Sequence, residues 1–109
     1  MEPFLHVASL SDFPPAAGLA VRLGGQPIAL FHVDGQVFAL DDVCARCGQS
    51  LAAGTLAGHD VECTGCGWRY DVVTGRLYDV ASLRLDTFAV QTRGATVSVA
   101  NSFVRHTFR

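Results

Sequence analysis

The 109-residue chain has eight arginines, no lysine and ten acidic residues, giving a net charge of −2 at pH 7, and half of its residues are apolar. The arginines are scattered singly, which speaks against a nucleic-acid footprint, and no apolar run approaches the length of a membrane span. A single domain over residues 1–109 is expected, small enough that a metal clip would add usefully to a modest core. The chain opens Met-Glu-Pro-Phe with no basic stretch ahead of an apolar run, so a cytoplasmic location is expected.

In chain order, residues 9–15 hold the one helix-start hint, with Ser9 and Asp12 ahead of Pro14 and Pro15, and support a single turn at most. Residues 19–23, 27–33 and 36–40 are alternating or apolar runs separated by Gly24-Gly25 and by Asp34-Gly35. The Asp-Gly pair predicts a tight hairpin, because both central positions of a primed turn need positive φ, and a three-strand meander follows. Residues 87–92 and 96–100 flank Arg93-Gly94-Ala95 and predict a second hairpin. The domain is therefore expected to be all-β, with a base formed by 1–40 and 81–100 and a tail over 101–109.

Between these portions, residues 41–80 carry all four cysteines and six of the eleven glycines, as an insertion dedicated to a site. Residues 61–63 and 68–71 read as short strands around the second cysteine pair, with Thr74-Gly75 turning the chain afterwards. Trp68 and Tyr70 alternate with Arg69, face one side together, and are expected to pack beneath the loops.

Cys44 and Cys47 form one Cys-x2-Cys pair, Cys63 and Cys66 another, and Gly48 and Gly67 follow the two pairs. This spacing matches a tetrahedral four-thiolate metal site, since each short loop turns two sulfurs inward and a hairpin-length excursion brings the loops together. A glycine free to take positive φ lets each loop curl and aim its N–H groups at the sulfurs. Disulfides are not expected without an export signal, and a catalytic dithiol would need a helix and a βαβ setting that neither pair has. No nucleophile with a paired base, acid pair or phosphate-cradling loop is present, so a stand-alone enzyme is not expected.

Cys44-x-Arg46-x-Gly48-x-x-Leu51, Gly54-Thr55-Leu56, Cys63-x-x-Cys66-Gly67-Trp68-x-Tyr70-Asp71 and Thr74-Gly75 together resemble the Rieske ferredoxin family, from about Phe4 to Ala100. The resemblance implies an antiparallel β sandwich or barrel carrying a metal-binding insertion. In that family two cysteines hold one iron of a 2Fe-2S cluster and two histidines the other. Cys44 and Cys63 match the family's cysteines, Cys66 stands at the second histidine position and Arg46 at the first. A guanidinium cannot ligate, and Cys47 supplies the missing sulfur. His6 and His32 lie in strand patterns, His106 sits in the tail and His59 falls four residues before Cys63, so none has ligand spacing. The family's proline-bearing shielding loop corresponds to residues 78–83, which contain no proline.

Four thiolates accept a mononuclear iron, a zinc ion or an all-cysteine 2Fe-2S cluster, and paired knuckles favour one metal atom. Arg46 beside such a site would partly neutralise its two net negative charges. With iron, the resemblance implies a small electron carrier between a flavin reductase and an oxygenase or reductase, with the surface around the knuckles docking partners. With zinc, it implies a structural or interaction module without redox activity.

Overall fold

Asp34 and Gly35 take φ of 51° and 80°, the left-handed pair that a two-residue hairpin needs, and close β3 (Gln26–Val33) onto β4 (Gln36–Asp41) with Val33 opposite Gln36. β2 (Leu19–Leu23) pairs with the other side of β3, which completes the expected meander. The second expected hairpin joins β8 (Thr87–Arg93) and β9 (Thr96–Val104), whose pairing carries the last strand past Ala100 to Val104. These observations come from a computed structural model that describes residues 4–78, 80 and 82–104.

The strand pattern that holds His6 is realised as a strand at the start of the sheet. β1 (Phe4–Ser9) lies antiparallel to β9, with a bulge between His6 and Ala8, and gives a six-stranded sheet in the order β1-β9-β8-β4-β3-β2. Its edge strands β1 and β2 approach each other, so the sheet curls toward a barrel and the domain is all-β. Between β1 and β2 the helical content is a single 3-10 turn over Leu10–Asp12. Among the described residues no helix is long and apolar enough to cross a membrane.

Residues 42–86 leave and re-enter this sheet between β4 and β8. They form a smaller antiparallel sheet, β5 (Thr55–Ala57), β6 (Asp60–Glu62) and β7 (Arg69–Asp71), in that order. Backbone bridges from Tyr70 to Leu77 and from Arg76 to Arg84 continue the pairing past β7.

Strands β3 and β4 are covered on both faces. Ile28, Leu30, Val37 and Ala39 point into the barrel with Val97 and Val99, while Ala29, Phe31, Val33 and Leu40 face the small sheet and pack with Leu51, Val61, Tyr70 and Leu77. That double burial explains why residues 28–31 are apolar without interruption. It also seats the cysteine loops on a rigid floor, since Cys44 and Cys63 belong to the same buried cluster as Phe31 and Leu40.

Candidate metal centre

The first cysteine loop follows β4, and the second joins β6 to β7. Both are built with the same hydrogen bonds at the same offsets. The Cys44 carbonyl accepts from Gly48 N–H at 3.0 Å and the Cys44 N–H donates to Gln49 O at 2.9 Å; the Cys63 carbonyl accepts from Gly67 N–H and the Cys63 N–H donates to Trp68 O, each at 2.8 Å. Closing such a loop requires the left-handed region at the residue after the second cysteine, and Gly48 and Gly67 sit at φ 78° and 81°. The four Sγ atoms all lie within 4.8 Å of one another. Cys44 and Cys66 are 3.7 Å apart and Cys47 and Cys63 3.4 Å, both distances spanning the two loops. Cys44 and Cys63 are buried, Cys66 is half-buried and Cys47 is exposed.

Three supports of this arrangement were not singled out as such from the sequence. Asp42, buried at 7% exposure, accepts from the Ser50 hydroxyl and from Ala52 N–H at 2.8 Å, tying the exit of β4 to the far end of the first loop. Its only signal was an acidic pair before Val43, which looks like any solvated charge. Gly65 faces the first loop so closely that a Cβ there would stand 3.0 Å from Cys47 Sγ and 2.8 Å from the Gln49 side chain. Tyr70 packs beneath the loops as expected, and its hydroxyl does more: it lies 3.3 Å from Cys44 Sγ and accepts from Ala45 N–H at 2.9 Å.

The inner thiols sit in opposed electrostatic settings. Burial pushes Cys44 up, but the Tyr70 hydroxyl and the N–H groups of Cys47 and Arg46 outweigh it and hold the thiol at about 6. Burial and the neighbouring Cys47 sulfur drive Cys63 up to about 12. Burial, reinforced by Cys44, also raises the Tyr70 phenol, so Tyr70 remains a hydrogen-bond donor to sulfur. Of the two inner thiols Cys44 is thus the readier thiolate, and a metal ion must displace the proton that Cys63 holds.

Arg46 is exposed at the rim, with its guanidinium 5.0 Å from the centroid of the half-buried Trp68 ring. Stacking on Trp68 pins the charge next to the first loop. His59 lies in the β5–β6 turn, 4.0 Å from the Asp34 carboxylate and edge-on to Phe38, while His6 and His32 are on β1 and β3. His106 lies outside the described residues, as do Asp79 and Ala81 of the 78–83 segment; Val80 of that segment packs against the cluster containing Cys44 and Cys63.

An all-β barrel whose inserted small sheet carries two cysteine loops at its tip is the architecture of a Rieske-type domain. The chain belongs to the Rieske-like 2Fe-2S domain family, whose profile matches residues 3–100. It is 29% identical over 99 residues to the ferredoxin component of a naphthalene 1,2-dioxygenase system from Pseudomonas aeruginosa, covering 90% of this chain and 95% of that one. With ferredoxin CarAc of Metapseudomonas resinovorans it shares 33% identity over 99 residues, 89% of this chain and 92% of the relative. A solved complex of reduced oxygenase and oxidized ferredoxin in carbazole 1,9a-dioxygenase contains a chain that superposes with a TM-score of 0.84 at 30% identity, covering 97% of this chain and all of that one. The ferredoxin of carbazole 1,9a-dioxygenase from Nocardioides aromaticivorans IC177, at 23% identity, shares the fold with a TM-score of 0.81 over 91% of this chain and 98% of that one. The ferredoxin relatives are electron-carrier components rather than stand-alone enzymes.

Proposed function

We propose that this chain is a small electron carrier serving an oxygenase, with a single iron held by Cys44, Cys47, Cys63 and Cys66. The observation that carries the reading is the spacing of the sulfurs. One tetrahedral ion with metal–sulfur bonds of about 2.3 Å sets its ligands about 3.8 Å apart. Two irons sharing an edge of bridging sulfides would hold their outer sulfur pairs at least about 5.3 Å apart, by the same bond lengths. The spread of no more than 4.8 Å favours one ion. The residues do not fit the family's mixed cysteine and histidine set, because Arg46 cannot ligate and no histidine joins the cluster among the described residues.

Bound iron would supply a one-electron couple; the remaining work falls to the chain. Tyr70 donates to the Cys44 sulfur, and loop N–H groups face the same charge. Burial of Cys44 and Cys63 keeps water from the inner side, leaving Cys47 at the edge open to a partner. Arg46, held over Trp68, opposes the net negative charge of a four-thiolate site. The relatives named above support an oxygenase as the electron acceptor, and a flavin reductase fits as the donor, with cytoplasmic reducing conditions keeping the thiols free.

Zinc fits the same four sulfurs, and a filled d shell would leave a structural or interaction module without electron transfer. Metal analysis of protein isolated anaerobically from its native host, together with electrochemistry of the iron-loaded form, separates the two. The proposal expects iron, one reversible one-electron couple, and a lower potential in Arg46→Ala. Stoichiometric zinc and an iron form without a reversible couple would refute it.

A further inference from the structure

Arg46 and Trp68 each follow by two residues the cysteine whose sulfur their backbone faces. The Arg46 N–H is directed at the Cys44 sulfur and the Trp68 N–H at the Cys66 sulfur, and those two sulfurs are 3.7 Å apart across the loops. Beyond these backbones the side chains meet, with the guanidinium 5.0 Å from the centroid of the indole ring. The contact therefore joins the first loop to the second at the solvent rim, where Arg46 itself is exposed.

Trp68 has a fixed place. Its carbonyl accepts from Cys63 N–H at 2.8 Å, and its side chain packs against the buried cluster that contains Cys44, Cys63 and Leu51. The guanidinium has no comparable hold: among the described residues no carboxylate forms an ion pair with Arg46 and no hydrogen bond reaches its side chain, which leaves the indole ring as its partner. An exposed charge swinging on a flexible stem is spread through solvent and screened over about 8 Å at physiological ionic strength. One held over a ring keeps its distance from the sulfurs. The order of the Arg46 charge therefore comes from Trp68 and not from Arg46 itself.

We propose that Trp68 is the positioning residue for this charge: the indole, seated on the floor of the site, holds the Arg46 guanidinium beside the edge formed by Cys44 and Cys66, so that the extent to which Arg46 counters the thiolates depends on the ring. Removing the ring should act as a partial removal of the charge without altering a ligand. A packing role alone makes a different demand, since Trp68 would then matter equally whether or not residue 46 is charged. The inference deepens the electron-carrier reading, on which its potential measurement rests, while the same charge bears on any divalent metal held by four thiolates.

The test compares the parent with Arg46→Gln, Trp68→Phe, Trp68→Leu and Arg46→Gln/Trp68→Leu, each loaded with iron and, separately, with zinc. Iron-loaded Arg46→Gln should have a lower potential than the parent, Trp68→Leu should show about half of that drop or more, and the double variant should fall no further than Arg46→Gln. Trp68→Phe, which keeps a ring, should stay near the parent. In the zinc form, transfer of the metal to a chelator should speed up by about two- to fivefold in Arg46→Gln and in Trp68→Leu, again without further gain in the double variant. Trp68 is the chain's one tryptophan, so acrylamide quenching of its fluorescence reports whether the guanidinium covers the ring, and quenching of the zinc form should rise in Arg46→Gln. A full Arg46 effect persisting in the Trp68→Leu background, or quenching unchanged by Arg46→Gln, would overturn the proposal, and the second result decides even where Trp68→Leu does not fold. An iron form without a reversible couple would sink the carrier reading alone, leaving zinc transfer and quenching to decide this one.

Discussion

Removing one oxygen atom tests how the cysteine loops are held. Tyr70→Phe deletes the hydroxyl that lies 3.3 Å from Cys44 Sγ and accepts from Ala45 N–H at 2.9 Å, without opening a cavity the size of a side chain. An orphaned donor costs about 1–3 kcal/mol and a hydrogen bond to a charged group contributes about 1.5–3 kcal/mol. Ala45 is exposed, so water takes up part of the first loss and a net destabilisation of about 2 kcal/mol is expected. For a domain near this size, 1 kcal/mol moves the melting temperature by about 4–8 °C, so the variant should melt roughly 8–16 °C lower. Tyr78→Phe is the matched control, because its hydroxyl also bonds an acceptor, Asp60, but on a residue that is 44% exposed. Its effect should stay within about 0.5 kcal/mol. Melting both variants in the metal-bound form at one fixed metal concentration makes the comparison. A Tyr70→Phe shift no larger than that of Tyr78→Phe would refute the view that the phenol holds the first loop.

Cys47→Ser should lose most of the metal affinity while His59→Ala retains it, as read by bound metal after dialysis; the reverse pattern would remove Cys47 from the ligand set. Chelation followed by segment-resolved hydrogen exchange should loosen residues 44–48 and 63–67 first, while β2, β3 and β4 stay protected; uniform loss would show that the barrel depends on the site. Asp41 is held above the usual carboxylate range by partial burial and then by Asp86, so its charge opposes folding at neutral pH. Asp41→Asn, which keeps an acceptor for the Gln26 amide, should therefore be more stable than the parent at pH 7. The gain should shrink as pH falls through the raised Asp41 value, because the parent's carboxyl is then neutral too. Urea midpoints of both proteins across that range check it, and a gain that grows toward acid would contradict the sign.

The cysteine loops and both hairpins were legible because their causes are local. Asp34-Gly35 and the glycines after each cysteine pair announce positive φ within a few residues of the features they shape. β1 was legible only as a strand pattern around His6, because its partner is at the other end of the chain: Phe4 faces Ala100, and the bulge after His6 breaks the alternation that would have marked its bounds. β5 is three residues long, too short for a period to show. Asp42 and Gly65 act through Ala52 and Cys47, neighbours that folding supplies and spacing does not reveal. Tyr70 illustrates the same limit, since its burial followed from pattern while its hydroxyl meets Cys44 and Ala45, 26 and 25 residues away in the chain.

The two cysteine loops share one hydrogen-bonding plan, in which Cys44 corresponds to Cys63 and Cys47 to Cys66. The inner member of each pair is buried and the outer member is at least partly open, which gives the site a front and a back. Thiol chemistry is consequently graded across a few ångströms. An alkylating reagent or a peroxide arriving from solvent meets Cys47 and then Cys66, one sulfur from each loop, before it can touch the pair seated on Phe31 and Leu40. Oxidation to a sulfenic acid or disulfide at the front leaves the first cysteine of each loop in place, and with it half of the anchoring that a repair by reduction and reloading requires.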